Sequence, residues 1–147
     1  MKQEEINKTL VHQYIKEVVN TGNTSRITDF IAEEYIDHND KSKKITGIDG
    51  AKQHIAAVRK SYPDLNVSIE SLYVDGDTVI TRIIATGTFG INWLEMPTKD
   101  KQVKIDGVNI DKIKNGRIVE HWGVANSLES LLSIGVLQSL RSNTNKQ

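Results

Sequence analysis

Apolar positions along the chain change period once, near Leu65. Before it, Ile6, Leu10, Val11, Tyr14, Ile15, Val18 and Val19 recur at three- and four-residue steps, with Glu5, Lys8, His12 and Lys16 on the other side, which predicts an amphipathic first helix. Asn20-Thr21-Gly22-Asn23 ends it, since glycine and asparagine readily take the left-handed conformation of a helix terminus. A short helix or turn is expected over 24–31, then a short strand over Glu34-Tyr35-Ile36-Asp37-His38-Asn39. Thr46-Gly47-Ile48-Asp49 has the form of a capping box and predicts a second helix with Ile48, Ala51, Ile55, Val58 and Tyr62 on its apolar face. Pro63 stops it by forcing the preceding residue out of helical geometry.

Beyond that point the period is two. Leu65, Val67 and Ile69 alternate, and Leu72 and Val74 resume on the other parity, so a bulge is expected at Glu70-Ser71. Asp75-Gly76-Asp77 and Lys114-Asn115-Gly116 are hairpin turns. The strand over 79–89 carries apolar residues on both parities and reads as central, covered on both faces. A similar parity change after Ile105 predicts a second bulge at Gly107. The segment 91–101, with Trp93, Met96 and Pro97, is either a packed loop or a cover over a cavity. A last strand over 117–125 precedes a short helix over 127–135. Helices first and strands afterwards give an α+β class: a curved antiparallel sheet with the N-terminal helices on its concave face, leaving a cone-shaped hollow.

Composition narrows the chemistry. A chain of 147 residues fits one domain, expected over 1–140 with 141–147 frayed. The absence of cysteine excludes disulfides, thiolate metal sites and a cysteine nucleophile. The 19 basic residues balance the 19 acidic ones, so no net field attracts nucleic acid, and the three lysines of 41–44 read as a solvated loop. No apolar run is long enough to span a membrane and no secretory leader is visible at the start, which leads to the expectation of a cytoplasmic protein. The four histidines, at 12, 38, 54 and 121, lack metalloprotease spacing, and neither a nucleophile elbow nor a glycine-rich phosphate loop occurs. No metal and no cofactor are expected.

Regular alternation in the last strand would put Ile118, Glu120, Trp122, Val124 and Asn126 on one face and Val119, His121, Gly123 and Ala125 on the other. The face with Trp122 combines aromatic bulk and polar ends, the usual make-up of a small-molecule site. Asn126 either lines that site or caps the helix at Ser127, and Glu120 either serves it or reaches water. His38, beside Asp37 and Asn39, is a candidate acid/base group or a structural histidine. His12, His54 and His121 read as structural.

Several segments taken together resemble the SnoaL-like polyketide cyclase or ester cyclase family, within the NTF2-like superfamily that also holds ketosteroid isomerases. They are Tyr35-Ile36-Asp37-His38-Asn39, Thr46-Gly47-Ile48-Asp49-Gly50, Tyr62-Pro63-Asp64-Leu65, Asp75-Gly76-Asp77-Thr78-Val79, Ala85-Thr86-Gly87-Thr88 and Asn115-Gly116-Arg117-Ile118-Val119-Glu120-His121-Trp122, in order across 14–135. The resemblance implies the NTF2-like cone, commonly dimerised through the outer sheet. It also implies an aspartate four residues after the tryptophan that moves a proton during intramolecular aldol closure. Here that position is Asn126, and an amide cannot accept a proton near neutral pH. Phe89 stands where many relatives have a histidine, and their proline, threonine, glycine, lysine turn is altered to Pro97-Thr98-Lys99-Asp100-Lys101.

The resulting expectation is a homodimeric pocket protein for a small apolar carbonyl compound, with Trp122, Phe89, Trp93 and Tyr35 as walls. Asn126, His38 and Glu120 would be its polar groups, and any remaining catalysis would be proton transfer next to the carbonyl. The alternative is a non-catalytic ligand-binding, dimerisation or protein-interaction module.

Overall fold

A computed structural model describes residues 2–39 and 44–137. The expectations for the lysine-bearing stretch at 41–44 and for the tail at 141–147 fall, apart from Lys44, outside the described residues. The first helix, α1 (Gln3–Tyr14), continues as a π-helical turn, Ile15–Val19. A 3-10 turn, Ile27–Asp29, leads into β1 (Ile31–Asp37), which begins earlier than the sequence pattern suggests. Then follow β2 (Ile45–Thr46), α2 (Gly47–Ser61), β3 (Asn66–Asp75), β4 (Thr78–Thr88), β5 (Gln102–Lys114), β6 (Arg117–Ala125) and α3 (Ser127–Ser133).

Six strands form one curved sheet in the order β2-β1-β6-β5-β4-β3. The expected α+β cone holds, and the single parallel pair, β1 with β6, makes the sheet mixed. The two N-terminal helices cover the concave face, where Val11, Ile15, Ile55, Val79, Ile113 and Ile118 belong to one buried cluster. Fully burying such a side chain is worth about 1.5–3 kcal/mol, which makes this seam the main tie between helices and sheet. Polar clamps close one end. Asn20 exchanges two hydrogen bonds with the Val67 backbone, and the Arg59 guanidinium donates to the carbonyls of Val19, Asn20, Pro63 and Leu65.

The predicted bulge in β3 is present between Ile69 and Ser71. The one predicted at Gly107 is not, because β5 pairs with β4 without interruption through that residue. Val103, Ile105, Gly107, Asn109, Asp111 and Ile113 therefore all point inward, and Val108 and Ile110 lie on the outer face. The missed irregularity is in β6, where Ile113 pairs with Ile118 but Lys112 pairs with Glu120, leaving Val119 as the extra residue. Strand β4 is internal, yet its outer face is open, with Ile80 partly exposed. Thr46 caps α2 by backbone geometry alone, so the predicted capping box is not formed. Among the described residues no helix is long and apolar enough to cross a membrane.

Candidate active site

Between the helices and the concave sheet lies a cavity of about 280 Å³. Much of its wall is aliphatic, with Ile55 and Val58 from α2 facing Ile83, Val103 and Ile105 from the sheet. Its polar groups gather further along the strands, around a row that runs across three strand pairings: Asp37 opposite His121, His121 opposite Asp111, and Asp111 opposite Val79. Because these residues are lateral neighbours on one pleated face, their side chains converge.

His121 Nδ1 lies 2.7 Å from Asp111 Oδ1, and the ring's Nε2 has no hydrogen-bond partner among the described residues. Burial alone would push the imidazole pKa down. The hydrogen bond to Asp111 and the charges of Asp111 and Asp37 outweigh it and hold the pKa above the ordinary histidine value. Tyr14 and Tyr35 also line the cavity, and desolvation first, then neighbouring groups that include Asp37 and Asp111, push both phenols well above their ordinary value. They stay protonated and keep an O–H to donate at neutral pH. An imidazole held in one tautomer by a carboxylate, with its other nitrogen unpartnered, can take or give a proton. No three His, Asp or Glu side chains among the described residues are arranged to hold a metal ion.

Of the residues singled out from the sequence, Tyr35 lines this cavity. Asn126 is exposed and caps α3: its Oδ1 accepts the Glu129 N–H at 3.2 Å and its Nδ2 donates to Glu129 Oε2 at 2.8 Å. His38, Glu120 and Trp122 do come together, but on the outer face of the sheet. The His38 ring stacks on Trp122 with centroids 4.6 Å apart, and its Nε2 is 3.2 Å from Glu120 Oε1. Phe89 is buried against Tyr62 and Trp93 beneath a packed loop, at centroid distances of 4.8 and 6.4 Å, and neither Phe89 nor Trp93 lines the cavity. That loop is spooled around buried Thr98, whose hydroxyl accepts the Trp93 N–H at 2.7 Å.

The cause of the exchange is the Val119 bulge. It reverses the alternation, so Ile118 packs inward while Trp122, four residues on, faces out and His121 faces in. Sequence reasoning missed His121 for this reason, Asp111 because of the bulge expected at Gly107, and Asp37 because only the long-range pairing of β1 with β6 brings it there. One signal was available: Asn109 and Asp111 share parity with Val103, Ile105 and Ile113, so a strand without a bulge at Gly107 places them inside.

A family model described as SnoaL-like polyketide cyclase matches residues 9–134. No curated protein matches the sequence. Among solved structures, a proposed polyketide cyclase from Acidithiobacillus ferrooxidans is 27% identical, with a TM-score of 0.77 over 97% of this chain and 99% of that one. A proposed polyketide cyclase from Bacillus cereus is 25% identical, with a TM-score of 0.74 over 92% and 86% of the two chains. A proposed SnoaL-like polyketide cyclase from Jannaschia sp. has a TM-score of 0.80 over 91% and 94% of the two chains, and at 20% identity it speaks to the fold alone.

Proposed function

The chain belongs to the SnoaL-like polyketide cyclase family, and from that premise we propose that it binds a small, largely apolar carbonyl compound and moves a proton at the carbon beside the carbonyl, with His121 as the group that does so. The observation that carries this reading is an imidazole whose Nδ1 is held by Asp111 and whose Nε2 has no hydrogen-bond partner among the described residues, in a cavity walled largely by aliphatic side chains. A base with a pKa near the working pH is best suited to the task, and an upward shift brings histidine toward it. Tyr14 and Tyr35, kept protonated, would donate to the oxygen on which negative charge develops. In this reading Asn126, His38 and Glu120 take no part, since none of them lines the cavity.

Deuterium uptake by cyclohexanone in D2O, followed by NMR, tests the reading. The protein should accelerate exchange at the carbons flanking the carbonyl, and His121→Ala should abolish the acceleration. Binding of the ketone without accelerated exchange would favour a non-catalytic ligand-binding module. The outer sheet face, with Ile80, Ile110 and Trp122 in one cross-strand row and Val108 beside Val124, is the surface through which we expect two copies to pair.

A further inference from the structure

The row of Asp37, His121 and Asp111 has a second polar row beside it, two residues along each strand. Gly123 stands opposite Asn109 on β5, and its N–H donates to the side-chain Oδ1 of Asn39, just beyond the end of β1. Two residues of strand cover about 6.5–7 Å, so the second row lies roughly that far from His121. Asn39 and Asn109 both line the cavity, one on each side of Gly123. A Cβ on Gly123 would stand 2.9 Å from Asn109 Oδ1 and 3.1 Å from Asn39 Nδ2, so glycine keeps the space between the two amides open down to the β6 backbone. The Asn39 amide is held in one orientation, because its Oδ1 is taken by the Gly123 N–H, while the Asn39 backbone N–H is tied to Asp37 Oδ1 at 2.8 Å. Nδ2 is the end it offers to a ligand, and that end only donates. Asn109 turns Oδ1 toward the same space and accepts there. Among the described residues neither Asn39 Nδ2 nor the Asn109 amide has a hydrogen-bond partner.

We propose that Asn39 and Asn109, set on either side of Gly123, form a specificity subsite for a neutral carboxamide on the ligand; this rests on the function proposed above and narrows its ligand to a carbonyl compound with a carboxamide at its other end. The carboxamide oxygen accepts from Asn39 Nδ2 and its NH2 donates to Asn109 Oδ1, so one planar group satisfies both side chains. An ester or a carboxylate only accepts, and would set a lone pair against Asn109 Oδ1. A carboxylate would also bring a negative charge beside Asp37 and Asp111 in the neighbouring row. The Arg59 guanidinium on the cavity lining gives its N–H groups to four backbone carbonyls and is not turned to pair with such an anion.

Calorimetric titration with cyclohexanone, 4-oxocyclohexanecarboxamide and 4-oxocyclohexanecarboxylate tests the subsite, since the two substituted rings hold a ketone and the second group at opposite ends. The native protein should bind the carboxamide roughly tenfold more tightly than cyclohexanone, as expected for two net hydrogen bonds, and the carboxylate no more tightly than cyclohexanone. Asn109→Leu, which keeps the side-chain size, should bring the ratio of the carboxamide and cyclohexanone Kd values to about one. Asn39→Asp keeps an acceptor for the Gly123 N–H and replaces the donor, and it should abolish the preference as well. A purely structural asparagine would weaken both ligands together and leave the ratio where it was. A native ratio near one, a carboxylate bound more tightly than the carboxamide, or a ratio that Asn109→Leu does not move would overturn the subsite. Deuterium exchange separates this outcome from the fate of the proton-transfer reading: a carboxamide preference without catalysed exchange keeps the subsite and sinks that reading, exchange without a preference does the reverse, and binding of none of the three ligands overturns both.

Discussion

His121 and Asp111 stand directly opposite each other on β6 and β5, with Nδ1 and Oδ1 2.7 Å apart, and this contact fixes which ring nitrogen is left for the cavity. Asp111→Asn keeps the shape and removes the charge. The His121 midpoint should then fall, because burial, which lowers it, loses its main opponent. Catalysed exchange should drop on the order of 10²-fold. NMR titration and ketone exchange on the same sample check both outcomes.

The raised His121 pKa also ties stability to pH. Below the ordinary value of 6.5 the folded and unfolded histidines are both protonated, and the pairing with Asp111 contributes in full. As pH rises through the raised folded value, that contribution is lost. Urea midpoints should decline across this window in the native protein and stay flatter in His121→Gln. Exchange activity should move the other way, rising as the imidazole becomes a base.

Asn126→Ala removes the side-chain cap of α3. A lost cap costs about 1 kcal/mol, so the urea midpoint should fall while catalysed exchange is unchanged. A large loss of exchange would return Asn126 to the chemistry.

Gly123 sits where a Cβ would come within 2.9 Å of Asn109 Oδ1 and 3.1 Å of Asn39 Nδ2. Both amides line the cavity, and the Asn39 side-chain Oδ1 accepts the Gly123 N–H. Gly123→Ala should therefore displace these two amide ends and weaken ketone binding, read by calorimetry.

Val124, 77% exposed, lies in the apolar outer face. Val124→Glu should convert a dimer to a monomer in size-exclusion chromatography coupled to light scattering, with ketone exchange retained. A native protein that elutes as a monomer would remove this surface from consideration.

The helices, hairpins and bend of β3 were legible because local rules specify them: three- and four-residue apolar spacing, Asp75-Gly76-Asp77 and Asn115-Gly116 turns, and Pro63 as a stop. The site was less legible because it inverts the usual assignment of faces. Around the cavity, Asn109, Asp111 and His121 point inward, while Val108, Ile110 and Trp122 point out. Reading apolar as inward therefore produced a false bulge at Gly107 and missed the true one at Val119. Long-range pairing, here β1 laid parallel to β6, is what sets Asp37 beside His121. No local spacing announces it.

The extra residue at Val119 makes the chamber's chemistry depend on strand register rather than on side-chain identity. Drawing that residue into regular pairing with β5, with the strand length unchanged, would turn the indole of Trp122 toward the helices and send the imidazole of His121 to the opposite side. A relative whose strand of the same length pairs without the bulge would keep the same scaffold around a differently equipped interior, so gain or loss of this irregularity is a route by which the architecture acquires or discards a proton-transfer centre.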